Sequence, residues 1–281
     1  MANIKITCDS ACDLPQALAQ RYQITVLPLE VDLGQQRRRD QLDVSAQELY
    51  RYSDSTGKLP GICPVSREQY LKCFQSLLSQ GYQVLHISLS SGISRCYENA
   101  ASAARGLKDV KVVDSQSISV GIGQLALLAS ELKSADYRLE ELSEALNEMK
   151  HHMEVSCVLQ SSELLHRSGS RGGIHAFGEK LLKLKPELSL KDGLIRYGRP
   201  FRGDLEDSIL CYVRRSLEGR KNIQTDRILL TYSGVPQSII REVKNLLQQL
   251  QHFDQVLELP AASAVSCRCG PGSLGLAFMT N

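Results

Sequence analysis

The sequence contains no tryptophan, and aromatic residues of all kinds make up only 5% of the chain. Any apolar cavity that it encloses must therefore be lined mainly by aliphatic side chains. No run of about 18 or more apolar residues occurs, the length that a membrane-spanning helix requires. The formal net charge is only +2, so the strongly basic balance typical of nucleic-acid-binding proteins is missing. A membrane-spanning protein and a nucleic-acid-binding protein are both disfavoured.

Close-spaced cysteine pairs are also scarce, although the chain has nine cysteines. Zinc sites usually combine two motifs such as CxxC or HxxxH, whereas here only Cys267 and Cys269 lie close together. The first residues begin at once with a strand-like pattern and lack the regions of a signal peptide. We therefore expect a cytoplasmic protein with reduced, mostly buried thiols and no metal. A metal or redox role for the cysteines is the alternative.

Two common catalytic motifs are absent. The chain has neither a Gly-x-Ser-x-Gly nucleophile elbow nor a Gly-x-x-x-x-Gly-Lys-Ser/Thr phosphate loop. A serine hydrolase is therefore the less favoured reading, and ATP is not expected to bind by that route.

The alternation of strand-like and helical segments predicts an α/β protein with a parallel sheet in its first half. The chain of 281 residues is long enough for two domains, and we predict a boundary that gives domains 1–155 and 156–281. The second half predicts a mixed sheet, with a hairpin turning at Asp192-Gly193. Predicted strands are 4–8, 24–31, 84–87, 110–113, 155–159, 228–230, 256–259 and 274–278. Predicted helices begin near Asp13 and Pro15, and near Ser45, Ser66, Ser119, Leu139, Leu205 and Val235, and the stretch 59–64 is predicted to be a loop.

The stretch from Ser88 to Ala100 is the centre of the functional prediction. An apolar strand leads into a serine-rich loop, and an alanine-rich helix follows. Such a loop offers hydroxyls, free backbone N–H groups and the positive end of the helix dipole, which together suit an anion or a carboxylate. The alternative is that Ser94 simply caps the helix.

Polar residues also follow the neighbouring strands, as Asp9-Ser10 and Asp114-Ser115. In an open parallel sheet these positions gather with Ser90-Ser91 along the carboxyl edge, where ligands bind. We favour a structural role for Asp9, Ser10 and Asp114, in which their side chains hold the loops together.

Several further stretches occur in the same order as in one known family. They are Asp9–Leu14, Leu89–Ser94 with Tyr97, Asp114-Ser115, Arg167–Gly169, Leu182–Pro186 with Asp192-Gly193, Arg202, and Gly270–Gly275. Together they resemble the DegV family, which includes the fatty-acid-binding subunits of bacterial fatty acid kinase. The resemblance implies two α/β domains, one Rossmann-like, and an apolar tunnel near their interface. One long-chain fatty acid would lie there as ligand, without a cofactor.

The resemblance also implies that the protein presents the fatty acid to a separate kinase and catalyses no reaction itself. A lipid-binding sensor without a kinase partner is the alternative. Transient membrane contact is compatible with both.

The residues implied for the fatty-acid carboxylate depart from the family pattern. Ser94 and Ser91 match, but the family's threonine falls at Ile62, which cannot donate a hydrogen bond, and Cys63 follows it. Arg95 replaces a glycine, and Arg268 replaces a histidine. We expect these arginines to bind the carboxylate instead, because guanidinium can do so bidentately.

Three more arginines, Arg202, Arg167 and Arg171, are implied at the rim of the site or in partner docking. The stretch after Arg202 is acidic in this chain, where the family usually has lysines. Docking of a kinase is therefore a weaker expectation than binding of a lipid.

Overall fold

The computed structural model describes residues 3–161 and 184–281, which form a mixed α/β architecture, as predicted. The strands are β1 (Asn3–Asp9), β2 (Thr25–Leu27), β3 (Glu30–Asp32), β4 (Arg37–Arg39), β5 (Gly61–Cys63), β6 (Tyr82–Ser88), β7 (Val110–Asp114), β8 (Met153–Val158), β9 (Glu187–Lys191), β10 (Leu194–Tyr197), β11 (Ile223–Ser233), β12 (Gln255–Pro260) and β13 (Ser273–Thr280). The helices are α1 (Gln16–Arg21), α2 (Ala46–Thr56), α3 (Arg67–Ser79), α4 (Cys96–Ala104), α5 (Val120–Ser134), α6 (Leu139–Met149), α7 (Leu205–Leu217), α8 (Gln237–Leu250) and α9 (Ser263–Cys269).

The described strands form three sheets. A four-stranded parallel sheet has the order β2-β1-β6-β7, so the carboxyl ends of β1, β6 and β7 lie side by side. A six-stranded mixed sheet has the order β10-β9-β8-β13-β11-β12, in which β13 is antiparallel to both β8 and β11. A small antiparallel sheet, β4-β3-β5, completes the set. The predicted parallel sheet and separate mixed sheet are confirmed.

Helix α5 joins the two large sheets. It packs against β1 and β6 on one side and against β8, β11 and β13 on the other. All residues from Val120 to Leu127 are buried, which explains why the first half of this helix is apolar on every side except at Gln124. A Cβ at Gly123 would lie 2.6 Å from the carbonyl oxygen of Cys12, so only glycine permits this close approach. Residues of both halves share one apolar cluster around this helix, and the second half has a further cluster of its own.

Local signals in the sequence placed several elements correctly. Ser45 and Ser66 each form a capping box with the residue three positions later, and they begin α2 and α3. The hairpin of β9 and β10 turns at Asp192 and Gly193, both of which have positive φ.

Two predictions about the first half were wrong. The predicted strand 24–31 is two strands in different sheets, because Pro28 interrupts it and cannot donate a ladder hydrogen bond. The stretch around Ile62, expected to be a loop, is strand β5, in which Ile62 pairs with Val31. Helix α9 was not predicted at all.

The predicted domain boundary at residue 155 falls inside β8, which pairs with β13 along its whole length. We propose that the second domain begins at Met153. Helix α9, near the end of the chain, packs against α2 of the first half, so part of the second domain contacts the first domain.

Candidate functional site

A cavity of about 340 Å³ lies where the start of α5 meets the six-stranded sheet and α9. This volume is within the usual range of small-molecule sites, roughly 300–1,000 Å³. Its apolar wall is mainly aliphatic, as the scarcity of aromatic residues predicts, and Tyr232 also contributes to it. The apolar lining residues are Ile93, Ile118, Val120, Val155, Leu188, Leu190, Ile195, Ala261, Val265 and Leu274.

The hydroxyl groups on this wall already have partners inside the protein. Ser119 and Thr231 donate to Asp13, Ser273 donates to the carbonyl oxygen of Cys269, and Ser233 bonds the Tyr50 hydroxyl. Likewise, Ser156 bonds Tyr212, and the Tyr232 hydroxyl donates to Glu258. None of these hydroxyls needs a ligand to satisfy it.

Among the described residues that line the cavity, Arg268 is the charged one. It lies in the last turn of α9 and is half-buried. Within residues 3–161 and 184–281, its guanidinium has neither a hydrogen bond nor an ion pair. A partly buried guanidinium without a carboxylate partner is suited to bind an acidic head group.

The serine-rich loop differs from the expectation of free N–H groups. The N–H groups of Ile93 and Ser94 donate to the carbonyl oxygen of Ser90, and that of Gly92 donates to the Ser90 hydroxyl. The N–H of Ser91 donates to Asp114. The N–H groups of this loop are therefore hydrogen-bonded to Ser90 and Asp114 and are not available to an anion.

Ser91 and Ser94 occupy different environments. Ser91 is exposed, and its hydroxyl donates to the Asp114 carboxylate. Ser94 is half-buried beside the cavity-lining Ile93, and its hydroxyl accepts from the N–H of Cys96 at 3.3 Å. In the described part of the chain no histidine contacts the Ser94 hydroxyl.

The other residues predicted to bind the carboxylate lie elsewhere. Arg95 is 78% exposed and pairs with Glu98, so its guanidinium faces solvent and not the cavity. Ile62 and Cys63 are in β5 and do not belong to the cavity lining; Ile62 instead packs between two apolar clusters. Of the residues predicted for the carboxylate, the structure brings only Arg268 to the cavity wall.

The predicted rim residues are only partly described. Arg202 is exposed just before α7, and its carbonyl oxygen accepts from the Ser208 hydroxyl. Arg167 and Arg171 lie outside the described residues.

Asp9 lies under the serine-rich loop and is fully buried. Its carboxylate accepts from the Tyr70 hydroxyl and, at 2.7 Å, from the N–H of Leu89. Burial by itself would raise the pKa of Asp9, but His86 at 3.4 Å and these donors outweigh it and keep the pKa below its usual value. Asp9 thus stays ionised and holds the loop to the parallel sheet.

Ser10 connects the same edge to the small sheet. Its hydroxyl donates to Asp40 at 2.6 Å and accepts from the N–H of Leu29 at 3.0 Å. Both contacts are between buried groups and join segments far apart in the sequence.

Asp13 was predicted only as a helix-start residue, and it has a larger part in the site. It does not cap α1, whose N-cap is Pro15. Its buried carboxylate instead accepts from Ser119, from Thr231 at 2.9 Å and from the N–H of Ala262 at 2.8 Å. Burial raises the pKa of Asp13 to about 6. The signal available in the sequence was the stretch Asp13-Leu14-Pro15, because aspartate tolerates the left-handed backbone that Asp13 adopts, with φ of 55°.

The hairpin of β9 and β10 packs on the serine-rich loop. Ser90 donates to the carbonyl oxygen of Gly193 at 2.7 Å, and Leu190 and Ile195 of the hairpin line the cavity. A Cβ at Gly92 would lie 2.7 Å from the Gly193 oxygen and 2.8 Å from Leu194 Cδ2.

We therefore expect Gly92→Ala to push the hairpin away from the loop. The free energy of unfolding should fall by about 1–3 kcal/mol, the usual effect of overpacking. Urea unfolding monitored by circular dichroism measures this. An unchanged midpoint would mean that the hairpin is not held tightly at this contact.

Comparison with known proteins identifies the family. The model of the DegV family of uncharacterised proteins matches residues 3–281. The chain belongs to the DegV family. A DegV domain-containing protein of Clostridium acetobutylicum is 26% identical over 281 residues, covering 99% of both chains. A second, from Clostridium perfringens, is 27% identical over 72% of this chain and 74% of its own.

Solved structures of DegV proteins share this fold. A DegV family protein of Thermus thermophilus, described as fatty acid binding, superposes with a TM-score of 0.88 at 29% identity, over 99% of this chain and 100% of the other. The fatty acid kinase B3 protein of Streptococcus pneumoniae, loaded with linoleic acid, gives a TM-score of 0.85 at 17% identity, over 99% and 100% of the two chains. At that identity the second likeness concerns the fold.

The described ranges of this DegV chain lack two further features. No group of three or more metal-ligating side chains occurs there. No described helix combines the length and the apolar character needed to cross a membrane.

Proposed function

We propose that this protein binds one long-chain fatty acid, with the acyl chain in the aliphatic cavity and the carboxylate at Arg268. The observation that carries the proposal is the combination of an apolar wall with one cation that lacks a carboxylate partner among the described residues. The fatty acid described for the Thermus thermophilus relative supports the class of ligand.

The acyl chain would supply most of the binding free energy. Burying about 14 methylenes at about 0.8 kcal/mol each contributes roughly 11 kcal/mol before ordering costs are subtracted. The head group then needs only a few contacts to fix its orientation. Arg268 provides the charge-assisted contact. The half-buried Ser94, next to the lining residue Ile93, is the second donor that we assign to the carboxylate, in place of the bond that its hydroxyl now donates to Cys96 Sγ.

We assign to the protein the role of a carrier that catalyses no reaction. If the protein were a serine hydrolase, Ser94 would be the candidate nucleophile. Its hydroxyl contacts Cys96, and no histidine contacts it within the described residues. The name of the Streptococcus pneumoniae protein favours delivery of the fatty acid to a kinase. Arg202 and the acidic turn after it are exposed and would meet such a partner.

Native mass spectrometry of the protein purified from a bacterial host tests the ligand class. We expect an added mass equal to one long-chain fatty acid, because the cavity is apolar and Arg268 lies in its wall. After the lipid has been removed, added palmitic or oleic acid should restore the same one-to-one complex. Absence of a bound lipid together with no uptake of either acid would overturn the proposal.

A further inference from the structure

The position of Arg268 depends on a very short helix. Helix α9 has seven residues, and three of them, Val265, Arg268 and Cys269, line the cavity. A helix of two turns has little stability of its own, so outside contacts must hold it in place. The position of its first turn therefore determines the position of the Arg268 guanidinium in its last turn.

Two buried carboxylates bind the amino end of this helix. The N–H of Ala262, the N-cap residue, donates to Asp13 Oδ1 at 2.8 Å, and the N–H of Ala264 donates to Asp40 Oδ1 at 2.8 Å. Asp13 is 1% exposed and Asp40 is 0% exposed. Carboxylates are favourable at a helix amino end, because they satisfy free N–H groups and oppose the positive end of the dipole.

The second oxygen of each carboxylate accepts hydrogen bonds from residues of the first half or of the six-stranded sheet. Asp13 Oδ2 accepts from Ser119 at the start of α5 and from Thr231 in β11. Asp40 Oδ2 accepts from Ser10 at the end of β1. The two aspartates therefore connect α9 to the rigid core at two points, on either side of Ser263.

We propose that Asp13 and Asp40 are positioning residues for acid recognition, which set the place of the Arg268 guanidinium by fixing the amino end of α9. This inference rests on the proposed function, because it assigns to these aspartates an effect on the carboxylate of the bound acid. They do not touch the ligand. Their effect should appear in the discrimination between an acid and an uncharged ligand of the same length.

The test compares palmitic acid with hexadecanol, which has the same chain but no carboxylate. Dissociation constants of both are measured by calorimetry for the wild-type protein, Asp40→Ala and Asp40→Asn, after thermal unfolding has shown that each variant is folded. In Asp40→Ala the acid affinity should fall about tenfold, the effect of one lost charged hydrogen bond, while the alcohol affinity stays unchanged. Asp40→Asn keeps an acceptor for Ala264, so its loss should be smaller, about threefold.

Two further variants distinguish an effect on the position of Arg268 from a general destabilisation of the protein. Glu131→Gln weakens another contact between the halves, the ion pair with Arg227 at 2.6 Å, but Glu131 is not part of the cavity wall, so the acid-to-alcohol ratio should not change. In an Arg268→Ala background, Asp40→Ala should cause no further loss of acid affinity, because the group that it positions is gone.

The outcomes are distinct. Equal losses for acid and alcohol would overturn the positioning role and leave a purely structural one. If Asp40→Ala does not fold, an unchanged ratio in Asp40→Asn overturns it equally. If the wild-type protein binds neither ligand, the proposed function itself fails, and this result is visible before any variant is examined.

Discussion

Arg268→Ala is expected to weaken binding of palmitic acid by about 30- to 100-fold, corresponding to roughly 2–3 kcal/mol for a lost charge-assisted contact in a partly buried site. The reason is that Arg268 is the charged side chain of the cavity wall and has no ion pair among the described residues. Binding of hexadecanol should stay close to that of the wild-type protein, because the apolar lining is unchanged. Calorimetric titration of lipid-free protein with both ligands measures the two effects.

The choice of control makes this result specific. Arg241→Ala removes an exposed arginine on α8, away from the cavity, and should leave both dissociation constants unchanged. Arg268→Lys keeps the charge but loses the planar bidentate geometry, so an intermediate loss is expected. Full acid affinity in Arg268→Ala would mean that the carboxylate binds elsewhere, and the serine-rich loop would again become the first candidate.

The second large effect is expected in the pH dependence of stability at Asp13. Burial raises the pKa of this carboxyl from 3.8 to about 6, so the folded state keeps its proton at pH values where the unfolded chain has lost it. The resulting stabilisation is full below about pH 4 and is lost as the pH rises through about 6. The negative charge of the buried Asp40 carboxylate also raises the pKa of Asp13.

Asp13→Asn removes this titration while it keeps an acceptor for the N–H of Ala262. The stability of the variant relative to the wild-type protein should therefore increase by about 2–3 kcal/mol between pH 4 and pH 7.5, which follows from a pKa of 3.8 in the unfolded chain and of about 6 in the folded protein. Urea unfolding of lipid-free protein at several pH values measures the difference. Any hydrogen bond lost in the variant changes stability equally at all pH values, so only the slope tests the prediction.

A constant difference between the two proteins across this pH range would contradict the raised pKa. Thr231→Val provides a matched comparison, because Thr231 donates to the Asp13 carboxylate and thereby lowers its pKa. Removing this donor should move the midpoint of the wild-type titration to higher pH.

Local patterns in the sequence were sufficient for much of the fold. Capping boxes at Ser45 and Ser66, the Asp192-Gly193 turn and the apolar start of α5 depend on residues within a few positions of one another, so a linear pattern contains them. The predicted strand 24–31 and the stretch around Ile62 were misjudged, because both depend on pairing between distant segments: β2 pairs with β1, whereas β3 pairs with β5.

The prediction of the site divides in the same way, into features that the sequence contains and features that depend on contacts between distant segments. The sequence by itself determined the family, the α/β class, an aliphatic interior and a set of candidate residues that includes Ser94, Arg95 and Arg268. Only the tertiary structure decided that Arg95 faces solvent while Arg268 lines the cavity. It also decided that the N–H groups of the serine-rich loop are used internally and that Asp13 holds α9. The physical reason is that burial and hydrogen-bond partners come from segments distant in the chain: Asp13 and Ala262 are 249 residues apart, and no local spacing relates them.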